Sequence, residues 1–418
     1  MFKKVAGTKD ILPDEVYVWQ KIEEISRAIF TTYNYQEIRP PIIEEAALFD
    51  RSLGEFSEVV QKQMFLIKNA DEVYALRPEG TASIVRAYIE NNLDKTTGFM
   101  KLYYLGPMFR LERPQKGRLR QFHHVGVEAI GSAGPDIDVE VVVLADALLK
   151  AYSIENYEIR INSLGCANDK AVLVKILKEG LKPKLSSLCE DCNARFKHNV
   201  LRILDCKHEG CRKVVGGLNI SDSHLCDDCQ GHFDKVRKGL DSLKVAYKVL
   251  PHLVRGLDYY TRTVFEINHP GLGSQDALGA GGRYDNLVSQ LGGPEVGAIG
   301  FAFGVERLLL AMAAKENSAG AGPSIYLIPL GEQAVPFAVE TLAFLRSHHC
   351  AADMNYEGRS LKGAMRTATN LSCRFVGIIG DNEINKGVIA LKRMDTGEQK
   401  EVKKEELLEE VKKNVKNS

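Results

Sequence analysis

GPMFRLERPQKGRLRQFHHVGVE, residues 106–128, reads as the turn and inner arms of a long antiparallel hairpin. The flanking runs KLYYLGPMFR and FHHVGVEAIG are rich in aromatic and β-branched residues, and a charged loop separates them. That loop carries Arg110, Arg113, Lys116, Arg118 and Arg120 within eleven residues, opposed only by Glu112. A basic turn can be nothing more than a solvated one. At the end of an apolar strand, however, planar guanidinium groups are held where they can grip phosphate through paired hydrogen bonds. The hairpin therefore predicts a phosphate-handling site on an antiparallel sheet.

Working outward, Trp19, Ile22, Ile25 and Ile29 recur at helical spacing behind Pro13 and an acidic first turn, so a long amphipathic helix starts near Asp14. QEIRPPIIE, residues 36–44, is short and β-branched, and its prolines confine it to an edge or interface strand. A helix over 136–152 and a strand over 157–162 follow, and residues 166–245 are mostly helical around a cysteine-rich centre. LVRGLDYYTRTVFEI, LGAGGRYDNLV and VGAIGFAFGVERLLLAM then bring back strands with glycine-rich turns, which makes 166–245 look inserted. KENSAGAGP, residues 315–323, suits an exposed linker, and beyond it SIYLIPL, AADMNY and FVGIIG alternate with helices as in an α/β domain. Domains are expected at 1–165 plus 246–318, at 166–245 and at 319–418.

The bulk composition narrows the function classes. With 418 residues, 44% of them hydrophobic, the chain can bury a large core. Fifty-five basic residues balance fifty-five acidic ones, so any nucleic-acid contact must be made by local patches rather than a global field. The most apolar stretches, 139–149 and 298–305, fall well short of the roughly 20 residues that span a bilayer. Without an export signal at the N-terminus a cytoplasmic location and no membrane partner are expected, and the nine cysteines read as thiols or metal ligands rather than disulfides.

These segments together resemble the histidyl-tRNA synthetase family of class II aminoacyl-tRNA synthetases. GPMFRLERPQKGRLRQFHHVGVE resembles motif 2, GFAFGVERLLL motif 3, and the first helix with QEIRPPI motif 1; LVRGLDYYTRTVFE and GAGGRYDNL resemble the two segments peculiar to the histidine enzymes. The resemblance implies an α+β catalytic domain, with an antiparallel sheet flanked by helices, a helical insertion and a C-terminal α/β anticodon-binding domain. It also implies a homodimer through motif 1, ATP and Mg²⁺, and transfer of histidine to tRNA(His). The chemistry asks for little else. An amino-acid carboxylate, with a pKa near ~3.5, needs no general base to attack the α-phosphorus, so the demand is electrostatic.

By resemblance Arg110, Arg255 and Arg307 are the catalytic arginines, with Glu112, Arg118 and Phe122 also at the nucleotide. Read without that context, Arg307 is a helix-surface charge and Arg255 a partner for Asp258. Glu79, Gly80 and Thr81 in RPEGTAS correspond to the loop that holds the α-amino group, and Glu128, Tyr259 and Tyr260 to the imidazole pocket. A buried carboxylate facing a ring N–H discriminates by roughly 10⁴ or more, so no editing domain is required, and none is apparent. His124 stands where the family commonly has glutamine; either it faces the substrate as a neutral ring or it turns away and packs. GAGGRYD, residues 279–285, is a tight turn or a wall of the pocket.

Cys189-x-x-Cys192 and Cys226-x-x-Cys229 are two metal-type pairs that could share a structural Zn²⁺, unless these thiols merely pack; Cys206 and Cys211 lie between them, and Cys166, Cys350 and Cys373 read as core residues. Such an ion is expected away from the chemistry, in a segment that clamps the acceptor arm of the tRNA. For the RNA, Arg113 and Gln115 in the motif 2 loop are candidates at the acceptor end, and Arg359, Lys362 and Arg366 share one predicted helix face, solvated or against the anticodon arm. A non-catalytic, synthetase-like regulatory subunit that binds histidine is the alternative; such paralogues typically lack the RGLDYY segment and the anticodon module, both of which are present here.

Overall fold

The computed structural model describes residues 2–54, 57–218, 220, 224–312 and 322–413, so most of the linker expected at 315–323 lies outside the described residues. Clustering of the chain separates two compact units at residues 317 and 318. No described helix is long and apolar enough to cross a membrane.

The first unit contains strands β1 (Gln36–Glu37), β2 (Ile43–Glu45), β3 (Phe65–Asn69), β4 (Glu72–Leu76), β5 (Met100–Phe109), β6 (Gln121–Ile130), β7 (Glu158–Ser163), β8 (Tyr247–Val249), β9 (Thr261–Asn268), β10 (Ala277–Arg283) and β11 (Ala298–Gly304). Its main sheet has the order β1-β5-β6-β11-β10-β9-β7-β8. The β1–β5 and β7–β8 pairs at its margins are parallel, and every pair between them is antiparallel. The antiparallel sheet expected from the hairpin is thus present, with β5 and β6 joined in register from Met100↔Ile130 to Phe109↔Gln121. A small antiparallel sheet, β2-β4-β3, is separate.

Because strand side chains alternate, the sheet has two different faces. Val125, Val127 and Ala129 of β6, Ile299, Phe301 and Phe303 of β11, and Phe265 and Ile267 of β9 form one apolar layer. It packs under the helix Pro13–Thr32, through Trp19, Ile22 and Phe30, and under Pro135–Ala151, through Val141, Leu144 and Leu148. The intervening residues, His124, Gly126 and Glu128 of β6, Gly300, Ala302 and Gly304 of β11 and Glu266 of β9, face the other way. Small and polar residues on that face leave the space in which the site forms.

The segment expected as an insertion has its own core, from Leu173 to Ile220. Its last helix, Asp227–Ser242, instead contributes Phe233, Val236 and Leu240 to the main apolar layer. The second unit is a five-stranded sheet in the order β13-β12-β14-β15-β16, formed by β12 (Ile325–Pro329), β13 (Ala352–Met354), β14 (Phe375–Ile379), β15 (Val388–Arg393) and β16 (Gln399–Lys403). The first three strands are parallel and the last two antiparallel, with helices Ala334–Ser347, Leu361–Asn370 and Leu407–Lys413 between and after them.

Candidate active site

A cleft of about 650 Å³ opens over the polar face of the main sheet. Arg110, Glu112, Arg118 and Phe122 from the hairpin, Glu79 and Thr81, His124, Arg255, Tyr259, Tyr260 and Arg307 all line it, although they are scattered across more than half the sequence. Glu128 bonds to two of the lining residues, Thr81 and Tyr284, and Gly80 is the N-cap of the helix that Thr81 opens. Arg113 and Gln115 project from the exposed hairpin loop instead.

Arg110 and Arg307 hydrogen-bond to backbone carbonyls, whereas Arg118 and Arg255 pair with carboxylates. Arg110 Nε donates to Pro78 O at 2.9 Å, and its guanidinium lies 5.4 Å from the Phe122 ring centroid. Arg307 donates to Gly117 O at 3.2 Å and Ala277 O at 2.7 Å. Arg118 pairs with the buried Glu112. Burial and the neighbouring Arg118, Arg110 and Arg255 lower the pKa of Arg307, a sign that these cations converge on one volume. Arg255 pairs with Glu266 on β9, not with Asp258 as its sequence position suggested: Glu266 is on the cleft face of the sheet, while the Asp258 carboxylate accepts from Asn199 Nδ2 at 2.9 Å. The surface-charge reading of Arg307 likewise does not hold.

Carboxylates and phenols share the cleft with the arginines, Glu79, Tyr259 and Tyr260 being close enough to Arg110 to act on its charge. Glu79 accepts N–H bonds from Thr81 at 2.7 Å and Ala82 at 2.8 Å, the first turn of the helix Thr81–Glu90, where a negative charge suits the helix dipole. Burial nevertheless raises its pKa. Glu128 accepts hydroxyl bonds from Thr81 at 2.7 Å and Tyr284 at 2.5 Å, and burial pushes its pKa up to about 8. Such a carboxyl is ready to ionise when a cationic or N–H donor arrives. A Cβ on Gly300 would stand 1.9 Å from Glu128 Oε2, so only glycine leaves room for that carboxylate. The Tyr259 and Tyr260 rings meet at a tilt of 54° with 4.7 Å between centroids, and Tyr284 lies 5.8 Å from Tyr259. GAGGRYD is accordingly a wall: Gly279, Ala280 and Tyr284 line the cleft.

His124 faces the cleft rather than turning away, 5.1 Å from Phe122, and its buried Nδ1 has no hydrogen-bond partner. Burial, then Arg110, Arg307 and Arg77, push its pKa down to about 3, so the ring is neutral. It is His123, on the opposite face, that packs, against Trp19 and Glu306.

Three expectations need correction. The two Cys-x-x-Cys pairs do not share a site: Cys189 and Cys192 meet Cys206 and Cys211, whereas Cys226 and Cys229 meet Cys166 and Asp169. Spacing within a pair fixes one helical turn but says nothing about which distant pair faces it, and Cys166 was wrongly read as a core residue. Nor is the inserted segment remote from the cleft, since Cys189, Asp191, Arg195, Arg202, Asp205, Cys206, Lys207 and His208 form part of its wall. Finally, Arg359 precedes the N-cap Ser360 and is not on the helix with Lys362 and Arg366; its guanidinium pairs with Glu357 and donates to Thr367 Oγ1 at 3.1 Å. Lys362 and Arg366 are both exposed on that helix.

The sequence also concealed what holds the 254–260 loop. Lys170 Nζ donates to Asp258 O and to Tyr260 O at 3.0 Å, Asn199 Nδ2 to Asp258 Oδ1 at 2.9 Å, and Arg202 to Gly256 O. All three come from the inserted segment; Asn199 and Arg202 are embedded in the largely apolar run NVLRILDCK and Lys170 lies outside it, so no pattern in the sequence marked them.

Comparison with known proteins is consistent with this geometry. The profile of the histidyl-tRNA synthetase family matches residues 7–308, and that of an anticodon binding domain residues 324–414. The chain is 44% identical to the histidine–tRNA ligase of Desulforamulus reducens, over 96% of this chain and 97% of the relative. It is 44% identical to that of Halothermothrix orenii, over 99% of each. Among solved structures, apo histidyl-tRNA synthetase of S. aureus superposes with a TM-score of 0.82 at 35% identity, covering 99% of this chain and 100% of that one.

Proposed function

This chain belongs to the histidyl-tRNA synthetase family, and on that premise we propose that its cleft condenses histidine with ATP and passes the histidyl group to tRNA(His). A histidine carboxylate oxygen attacks the α-phosphorus, the bond to the bridging oxygen breaks, and pyrophosphate leaves. A ribose hydroxyl at the 3′ end of the tRNA then attacks the carbonyl, and AMP departs. The observation that carries this reading is one cleft lined by arginines together with buried carboxylates and phenols that lie close to them.

In this reading Arg110 and Arg255 hold the α-phosphate and Arg307 lies along the triphosphate beside the adenine, with Glu112, Arg118 and Phe122 around the nucleotide. Preorganised cations in a partly dry cleft supply most of the acceleration. Glu79, with the Gly80–Thr81 turn, holds the substrate ammonium; Glu128, Tyr259 and Tyr260 read the imidazole, and neutral His124 offers one further hydrogen bond. Magnesium accompanies the nucleotide and neutralises its β and γ phosphates. Glu58 and Asp205 on the cleft wall are the carboxylates that would hold it beside the phosphates, Glu112 being paired with Arg118. Residues 1–165 with 246–318 carry the catalysis, and Arg113 and Gln115 meet the acceptor end. Residues 319–418 take the anticodon arm, with Lys362 and Arg366 as its exposed cations. A structural zinc in 166–245 and a cytoplasmic location complete the assignment.

Homodimerisation is supported by the small sheet. Ile43, Leu66, Ile67 and Val73 are exposed, and the adjacent Leu66 and Ile67 point to opposite faces of β3, so neither face is fully covered within the chain. A second copy would cover them through the motif 1 region. The regulatory alternative gains nothing, because the RGLDYY arginine and tyrosines sit in the cleft and the anticodon-type unit is present. Charging of tRNA(His) transcript with each of twenty labelled amino acids tests the proposal. Only histidine is expected to become acid-precipitable; a folded chain that charges none refutes it.

A further inference from the structure

The fold sorts six clustered cysteines and one outlying pair of donors into two compact sets. In the first, the Sγ atoms of Cys189, Cys192, Cys206 and Cys211 all lie within 4.8 Å of one another, with Cys189 and Cys206 3.9 Å apart. A zinc ion with Zn–S bonds of about 2.3 Å spaces its tetrahedral sulfurs at roughly 3.8 Å. All four are free thiols, and they are too close together to embrace an iron–sulfur cluster. Cys189 caps the helix Glu190–His198 with Cys192 in its first turn, and Cys211 is in the first turn of Glu209–Gly216. Two helix N-termini therefore turn their positive ends toward the sulfurs. The Cys189 N–H donates to Cys211 Sγ at 3.2 Å, a bond that orients the sulfur as outer partners of a metal site do.

The second set repeats the same local arrangement. Cys166 caps the helix Ala167–Leu181 with Asp169 in its first turn, and Cys226 caps Asp227–Ser242 with Cys229 in its first turn. Their donor atoms also lie within 4.8 Å of one another. Asp169 accepts the N–H groups of Cys166 at 3.1 Å and Cys226 at 3.0 Å, and each carboxylate oxygen keeps a lone pair for a cation. This set stands where the chain enters and leaves the inserted segment. Cysteines that merely fill a core have no reason to converge donor atoms from separate chain segments, and here that happens twice.

We propose that the inserted segment binds two zinc ions, one on Cys189, Cys192, Cys206 and Cys211 and one on Cys166, Asp169, Cys226 and Cys229, and that the first ion fixes a wall of the cleft. Each ion displaces the thiol protons to solvent as it binds. Cys206 stands between Asp205 and Lys207, which line the cleft together with Arg202 and His208, and Arg202 also holds Gly256 O. Anchoring Cys206 therefore anchors the stretch that faces Arg255. The second ion staples the neck beside Lys170, which holds the 254–260 loop.

The site assignment stands on the cysteines alone; its consequence for nucleotide binding rests on the synthetase reading. The test is elemental analysis of the full-length chain purified from zinc-replete cells, with Cys192→Ser, Cys229→Ser and Cys211→His beside it. Two zinc ions per chain are expected, one after either serine substitution and two in the histidine variant, which keeps four ligands. Replacement by Co²⁺ is expected to give the intense ligand-field bands of tetrahedral thiolate sites. A native chain with one ion or none and no Co²⁺ uptake overturns the assignment, as does a stoichiometry that neither serine variant changes. Loss of the first ion in Cys192→Ser is expected to raise KM for ATP on the order of tenfold, while Cys211→His, which keeps four ligands, is expected to retain the native KM. An unchanged KM removes the role in the cleft wall. Metal content does not depend on catalysis, so a chain that holds two ions yet charges no tRNA sinks the functional reading and leaves this one standing.

Discussion

Glu128 has the environment with the clearest consequences at the scale of single residues. Its ordinary pKa is 4.5 and burial pushes it up to about 8. Between these values the folded chain keeps a proton that the unfolded chain has lost, so Glu128 makes stability fall as pH rises through that window. Thermal unfolding of Glu128→Gln from pH 4.5 to 8 is expected to show a flatter dependence; an unchanged slope contradicts the assignment. Histidine, offering an N–H to the ionised form, is expected to release a proton on binding at pH 7. Calorimetry in buffers of different ionisation enthalpy reads that release, and Glu128→Gln should abolish it. Gly300→Ala tests the same carboxylate from the neighbouring strand: its new methyl would collide with Oε2, and KM for histidine is expected to rise on the order of a hundredfold. The carboxylates and arginines were legible in the sequence because they sit in long ordered motifs. The bond from Tyr284 to Glu128, the room that Gly300 leaves for that carboxylate and the hold of Lys170 on the 254–260 loop were not, since each acts on a residue far away in the chain.

Between elements, the buried Arg283 ties β10 to the helix Pro135–Ala151. Its Nε donates to Asp138 Oδ1 at 2.7 Å, its other nitrogens reach Asp285, Ser132 O and Gly134 O, and His232 on the helix Asp227–Ser242 meets the second oxygen of Asp138 at 2.8 Å. Removing one partner leaves a buried cation only partly paired, so Asp138→Ala is expected to cost about 3 kcal/mol in denaturant unfolding. A change within the error of the midpoint would show the network to be dispensable. The hairpin was readable because alternation and a basic turn are local signals, and its strands lie within about a residue of the expected bounds. The partners of Cys189 and Cys226 were unreadable for the opposite reason. A helical turn sets which two cysteines form a pair, while the packing of four helices decides which pairs meet. The same applies to Arg255, whose partner Glu266 is chosen by the cleft face of β9 rather than by proximity in sequence.

For the molecule as a whole, the order of elements was legible: an antiparallel sheet, a helical segment interposed, then an α/β unit. The nearness of the interposed segment to the cleft was not, because nothing in composition marks a wall built from Arg202, Asp205 and Lys207. The uncovered faces of the small sheet bear on assembly. Leu66→Asp with Ile67→Asp is expected to convert a dimer to a monomer in sedimentation equilibrium, and a native chain that sediments as a monomer at micromolar concentration contradicts the dimer. The central claim is that arginines converging on one cleft drive adenylation electrostatically, and histidine-dependent ATP–pyrophosphate exchange in the native chain and in Arg255→Ala tests it most directly. The account predicts exchange with histidine alone among the twenty amino acids and a fall on the order of 10²-fold or more in the variant. Exchange that survives the substitution unchanged, or a folded native chain that binds histidine and exchanges nothing, would contradict it.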